Sequence, residues 1–162
     1  MSNGLSVSDI INIAIDIERR GISFYDVMAK SADSESARAV FNSLVVMERE
    51  HLDMFQGILA EVNNFQIADI PDNQSSGYIK SLAESAVFTD DLITSDMASQ
   101  ADTDIKAIEL GINAEKDSLL FYYEIKVIVP QRMSQLIDRI IEEEKTHLLQ
   151  LAAIKNEMAR GT

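Results

Sequence analysis

Apolar residues recur every three or four positions along four long stretches of this chain, a spacing typical of amphipathic α-helices. The first predicted helix covers residues 8 to about 29, with Ser8 as its N-cap, and the second covers residues 35 to about 62. Only the short polar break at residues 31–34 separates them. Helices joined by so short a connection pack as antiparallel neighbours, so we expect a helical hairpin.

The C-terminal half of the chain predicts a second hairpin. A third long helix is expected over residues 103 to about 128, and a fourth begins directly after Pro130 and continues to about residue 160. Proline sets this boundary because it fixes φ and lacks a backbone N–H. The connection between the hairpins has a predicted loop at residues 63–76 and short helical pieces at 77–87 and 89–100.

The predicted fold class is therefore all-α, a single domain over residues 1–162 in which two hairpins form a four-helix bundle joined by a long crossover. The chain has only six Gly and two Pro, and folds rich in strands and turns need more of both. No run of about 18 uncharged apolar residues is present, so no membrane span is predicted. The first twenty residues lack the basic start and cleavage site of an export signal, which predicts a soluble cytoplasmic protein.

The two predicted hairpins repeat each other in sequence. The first and third helices align at an offset of 97 residues, and the second and fourth at an offset of 96. The matched pairs are Glu18 with Glu115, Tyr25 with Tyr122, Glu48 with Glu144 and His51 with His147. A fold built from two such copies has an approximate two-fold axis, so a site on that axis receives equivalent side chains from both hairpins.

Charge and cysteine content narrow the range of possible ligands. The sequence has 14 basic and 27 acidic side chains, a formal net charge of −13, and no cysteine. Nucleic acids and anionic membrane surfaces are therefore not expected as partners, and cations are favoured. Without cysteine, a metal site must use oxygen and imidazole ligands.

A Glu-x-x-His motif occurs in the second and fourth predicted helices, as Glu48/His51 and Glu144/His147. Residues three apart share a helix face, so each motif presents a carboxylate and an imidazole together. Both motifs lie on the apolar stripe, as does one glutamate in each of the other two helices. These further glutamates are Glu18 and Glu115. At 1.5 Å per residue all four glutamates lie roughly 22 Å from the turn of their hairpin, so we expect them at one level of the bundle.

Four carboxylates buried at one level require a compensating positive charge. In an apolar core, like charges would raise one another's pKa until most of the acids were neutral. Two divalent cations would balance the four glutamates, with one histidine for each ion. The mixture of carboxylate and imidazole favours iron or manganese over calcium. The alternative is a bundle whose acids are protonated or paired with Lys or Arg.

This set, a Glu from each of two helices and a Glu-x-x-His from each of the other two, is that of the ferritin-like di-metal carboxylate proteins. The strings at residues 17–25 (IERRGISFY) and 48–55 (EREHLDMF) resemble the rubrerythrin-like branch of that superfamily, over residues 8–160 as a whole. The resemblance implies a ferritin-like bundle, a homodimer, and two iron ions that react with peroxide or dioxygen, with manganese or zinc as possible substitutes. It also implies that Glu48 and Glu144 bridge the ions and that the other four ligands are terminal.

The sequence departs from this family at two points. Rubrerythrins usually carry a rubredoxin module with Cys-x-x-Cys motifs, and this chain has no cysteine. Electrons would therefore come from a separate donor protein such as a rubredoxin. The family also tends to have another glutamate one turn after the third-helix ligand, where this chain has Ser118, so a seventh ligand is not predicted.

By resemblance, the predicted function is that of an oxidoreductase acting in oxidative-stress defence or iron redox chemistry. Two alternatives stay open: a ferroxidase that stores iron in a closed shell, and a metal-binding ferritin-like scaffold without activity. The hydroxyls of Tyr25 and Tyr122, seven residues after Glu18 and Glu115, either donate to a ligand carboxylate, lend an electron to an oxidised intermediate, or only satisfy the packed core. The neighbouring acids Glu50, Glu142 and Glu143 are expected in solvent, and Met47, Met54 and Met133 in the core.

Overall fold

The computed structural model describes residues 5–65, 74–85 and 103–160. Its helices are α1 (Val7–Ser31), α2 (Glu35–Phe65), α3 (Gln74–Ser85), α4 (Asp104–Ile128) and α5 (Gln131–Arg160). The four long helices form two hairpins, α1–α2 and α4–α5, which pack into one bundle with the short helix α3 against α4. The predicted all-α architecture of two hairpins with a helical crossover is therefore confirmed.

The N-cap of α1 is a different serine from the one predicted. Ser6, not Ser8, is the N-cap: its hydroxyl accepts from the Asp9 backbone N–H, and the Asp9 carboxylate accepts from the Ser6 backbone N–H at 2.9 Å. This reciprocal capping box needs an acid three residues after the cap, which Ser6 has and Ser8 lacks. The Ser8 hydroxyl instead donates to Asn63 Oδ1 at 2.9 Å and ties the start of α1 to the end of α2.

The turns also follow from local chemistry. Thr103 caps α4 by accepting from the Lys106 N–H, and the extended residue Val129 ends that helix before Pro130.

The first crossover helix, predicted at residues 77–87, is confirmed as α3, which begins three residues earlier. The second predicted piece, at residues 89–100, lies outside the described residues.

The apolar core is split into two clusters by a polar layer. One, the Phe55 cluster, includes Ile10, Ile11, Phe55, Ile58, Tyr122 and Ile137. The other, the Phe41 cluster, includes Phe24, Tyr25, Phe41, Leu44, Ile108 and Leu151. The C-terminal half of α1 and the N-terminal half of α4 both belong to the Phe41 cluster, so these two helices run antiparallel.

Every long helix crosses from one cluster to the other near its middle. The residues at the crossing are polar and buried: Glu18, Glu48, His51, Glu115, Ser118, Glu144 and His147. Within the described ranges, no helix is long and apolar enough to cross a membrane.

Candidate metal centre

The structure brings all six predicted ligands together in the layer between the two core clusters. Each is at most 4% exposed, although acids are almost never buried to this degree without a partner. Each arrives from the middle of a long helix, which holds its backbone in place. The six residues are Glu18 from α1, Glu48 and His51 from α2, Glu115 from α4, and Glu144 and His147 from α5.

The two Glu-x-x-His motifs form the centre of the cluster. One ligand atom from each of Glu48, His51, Glu144 and His147 lies within 4.8 Å of every other, which is close enough for these atoms to bind the same ions. The two imidazole rings are stacked with centroids 5.2 Å apart and planes 21° apart. Their Nδ1 atoms face the carboxylates, so Nδ1 is the nitrogen available to a metal.

Two of the carboxylates contact both histidines. One oxygen of Glu144 lies 3.0 Å from His51 Nδ1, and its other oxygen lies 3.0 Å from His147 Nδ1. The oxygens of Glu48 make the corresponding approaches at 3.3 and 3.5 Å. Glu48 and Glu144 therefore have the positions that bridging ligands would need.

The other two carboxylates each contact one histidine. Glu18 lies 3.9 Å from His51 Nδ1 and Glu115 lies 3.8 Å from His147 Nδ1. The cluster thus divides into two halves, Glu18 with His51 and Glu115 with His147, that share Glu48 and Glu144. The two residues of each half come from one hairpin, but the shared glutamates come one from each, so neither hairpin alone forms a complete site.

Burial and mutual repulsion act strongly on the acids. Burial raises the pKa of Glu18 and of Glu115 well above the usual carboxyl value, and the charges of Glu48 and Glu144 raise it further. Burial and the Glu144 charge oppose ionisation of Glu48, but the two nearby histidines outweigh them and lower its pKa. The pKa of Glu144 is lowered as well, since the histidines beside it outweigh its burial.

The carboxylates of the cluster raise the pKa of both histidines. Burial lowers the pKa of His51, but the Glu144 and Glu48 carboxylates raise it to about 10. Burial also lowers the pKa of His147, but Glu115, Glu144 and Glu48 outweigh burial and raise this pKa to about 12. In the protein without metal the two histidines therefore favour the imidazolium form at neutral pH, and the two outer acids ionise less readily than Glu48 and Glu144 do.

The donor set fits two divalent ions. In the described part of the chain, the Nδ1 atoms of both histidines and one oxygen of Glu144 are buried without a hydrogen-bond partner. Such orphaned atoms cost free energy unless something binds them. Two ions would coordinate all three atoms and would balance the negative charge of the four carboxylates. Oxygen with imidazole is a donor set that suits iron.

Two buried tyrosines fix the outer carboxylates, and each does so across the bundle. Tyr25 on α1 donates to Glu115 on α4, and Tyr122 on α4 donates to Glu18 on α1. Helical side chains lean toward the N-terminus of their own helix, so Glu18 leans away from Tyr25. In the antiparallel α4, Glu115 leans toward Tyr25.

One residue expected in solvent lies beside the cluster, so that prediction is wrong. Glu143 is 31% exposed, and its Oε2 lies 3.0 Å from His51 Nε2. Position 143 flanks the buried stripe of α5, where the outer edge of the α2 imidazole reaches it. Glu50 and Glu142 are exposed as predicted. Spacing within α5 could not identify Glu143, because its partner is on another helix.

The remaining predicted neighbours are placed as follows. Ser118 is buried in the polar layer. Met133 is a core residue as predicted, whereas Met47 and Met54 are only partly buried.

Comparison with known proteins agrees with this geometry. No curated protein matches the sequence. The chain is similar to a protein of Thermotoga maritima whose crystal structure is described as ferritin-like and diiron-carboxylate, with a TM-score of 0.75 and 26% identity over 98% of this chain and 99% of that one. The rubrerythrin family model matches residues 9–155, which include all six clustered residues. With its buried Glu/His centre and its two-hairpin bundle, the chain belongs to the rubrerythrin family.

Proposed function

We propose that this chain is a di-iron oxidoreductase that reduces hydrogen peroxide or dioxygen with electrons from a separate donor protein. The observation that carries the proposal is the buried cluster in which Glu48 and Glu144 each contact both histidines. In this reading Glu18 and His51 hold one ion, and Glu115 and His147 hold the other. Two iron ions held by these residues would supply two electrons, the number needed to reduce the O–O bond of hydrogen peroxide, with two protons, to two waters.

The residues around the ions have three tasks. The four glutamates offset the positive charge of two divalent ions, so the charged centre is tolerated in the core. The hydroxyls of Tyr25 and Tyr122 hold the two outer carboxylates in place. The apolar clusters on either side limit the entry of water and favour a small oxidant over a bulky substrate.

The partners follow from the composition. The chain has no cysteine to build an electron-transfer module of its own, so we propose a rubredoxin-like protein as donor. We also propose a homodimer as the working form. Light scattering tests this directly, since a dimer supports the redox enzyme and a particle of hundreds of kilodaltons supports iron storage.

Anaerobic iron loading tests the function. We expect two Fe(II) per chain, and we expect hydrogen peroxide to oxidise them faster than dioxygen does, with turnover when a reduced rubredoxin is supplied. Glu144→Gln should reduce the iron bound, whereas Glu50→Gln, an exposed acid on α2, should not. A stoichiometry of one or zero would refute the di-iron assignment. Binding of two ions without peroxide turnover would support a non-enzymatic scaffold.

A further inference from the structure

The two halves of the candidate centre differ just outside the ligands. His51 Nε2, on the side of the ring away from the cluster, lies 3.0 Å from Glu143 Oε2. His147 Nε2 is also fully buried, but it has no hydrogen-bond partner among the described residues. The pseudo-symmetric pair of histidines therefore has an asymmetric environment.

The internal repeat explains this difference. The offset of 96 residues that pairs His147 with His51 also pairs Glu143 with Met47. At the position where one half has a carboxylate, the repeat of the other half has a thioether, which is only a weak hydrogen-bond acceptor. Met47 is partly buried, and its sulfur accepts from the Ser43 hydroxyl at 3.8 Å.

A carboxylate behind a ligating imidazole affects metal binding directly. When Nδ1 of His51 faces the ion, Nε2–H is left to donate to Glu143. This bond fixes the tautomer and the ring orientation and makes Nδ1 a stronger donor, and removing such a partner typically lowers metal affinity about 10- to 100-fold. His147 Nε2 has no equivalent bond within the described residues, so nothing there fixes the outer nitrogen of its ring.

Glu143 is itself held in position from the surface. Arg139, one turn earlier on α5, donates from Nε to Glu143 Oε1 at 3.3 Å. The Arg139 side chain is 66% exposed and that of Glu143 is 31% exposed. An ordered series of side chains therefore runs from solvent through Arg139 and Glu143 to the buried His51.

We propose that Glu143 is a positioning residue that makes the half formed by Glu18 and His51 the tighter of the two metal positions, so that the chain takes up its two ions in a fixed order. The inference rests on the proposed di-iron function for its two ions, but it concerns binding and not turnover. Glu143 acts through His51 and does not contact the reacting atoms.

Calorimetric titration with Co(II) tests the order of filling, because Co(II) also gives an absorption band that reports its coordination. The wild-type protein should bind two Co(II) in two steps whose affinities differ about 10- to 100-fold. Glu143→Gln should weaken the first step and merge it with the second. Met47→Glu, which places a carboxylate at the equivalent position of the other half, should tighten the second step.

Glu142→Gln is the matched control, since Glu142 is exposed on α5 and pairs with Lys145. It should leave both steps and the absorption band unchanged. Equal affinities for the two ions in the wild-type protein would overturn the inference, as would equal weakening of both steps by Glu143→Gln. Glu143→Gln should retain the melting profile of the metal-free protein, and Met47→Glu provides a second test if it does not. Ordered binding without peroxide turnover would leave the inference intact and refute the function.

Discussion

Loading two divalent ions into the metal-free protein at pH 7 should expel about four protons per chain. The structure places these protons on four named groups. The pKa values of His51 and His147 are raised to about 10 and about 12, so both rings are protonated at pH 7. Burial raises the pKa of Glu18 and of Glu115, so we expect these two acids to be neutral at pH 7. Metal ligands must be deprotonated, so all four protons are displaced when the ions bind.

Charge balance leads to the same number. Without metal, two imidazolium ions offset the carboxylates of Glu48 and Glu144, and the cluster is neutral. Two divalent ions add as much positive charge as about four protons remove, so the filled cluster is neutral as well. An apolar core therefore tolerates either state but not a partly compensated one.

The number of protons can be measured by calorimetry with Mn(II) in buffers of different ionisation enthalpy, or by titration in weak buffer with a pH indicator. Because about two protons leave for each ion, the apparent affinity for each ion should rise about a hundredfold per pH unit near neutrality. Glu18→Gln, which has no carboxyl proton at that position, should release about three protons, and Glu50→Gln should still release about four. Release near zero would refute the reasoning, since the histidines and outer acids would then already be deprotonated.

Three further predictions concern stability. Because the pKa of His51 is raised, its interaction with the carboxylates stabilises the metal-free fold fully below about pH 6.5 and is lost as pH rises through about 10. The melting temperature of the metal-free protein should therefore fall over that pH range, and a flat profile would contradict this. Tyr25→Phe removes the buried donor to Glu115 and should lower the free energy of unfolding in denaturant by about 1–3 kcal/mol. It should also shift the visible absorption of the iron-loaded protein, and an unchanged spectrum and turnover would mean that the hydroxyl serves only packing. A Cβ at Gly111 would lie 3.2 Å from Leu151 Cδ1 and 3.3 Å from Tyr25 Cε1, so Gly111→Ala should destabilise the fold by about 1 kcal/mol. Gly57→Ala, with nothing within 4 Å, should stabilise it by about 0.5–1 kcal/mol, and equal effects of the two would exclude crowding at Leu151 and Tyr25.

The sequence was sufficient to predict the four long helices and the convergence of six side chains. Helical spacing shows which face is buried, and polar residues that interrupt that face, such as Glu18 and His51, must then lie in the core. The repeat adds that both hairpins place them at the same depth. The first cap was predicted at Ser8 because a serine before an apolar run is a general signal, whereas the reciprocal bond of Ser6 with Asp9 depends on a specific spacing.

Contacts between helices could not be predicted from one sequence. The bond of Tyr25 to Glu115 depends on α1 and α4 being antiparallel, which determines the direction in which each side chain leans. Glu143 flanks the buried stripe, and only the approach of the α2 imidazole from the neighbouring helix makes it a partner of His51. Periodicity describes each helix by itself and contains no information on either relation.

The ligands and the residues behind them are under different physical constraints. The ligands must balance and coordinate two ions: removing one glutamate from either half would leave a buried charge uncompensated, and removing one histidine would leave an ion without its imidazole, so both copies of the hairpin require the same residues. The residues behind the ligands do not carry that requirement. Glu143 in one half and Met47 in the other both allow the bundle to fold, because each lies at the edge of the core where solvent is near. A duplicated hairpin can therefore keep two equivalent sets of ligands and still make its two metal positions unequal, by changing a single residue outside them.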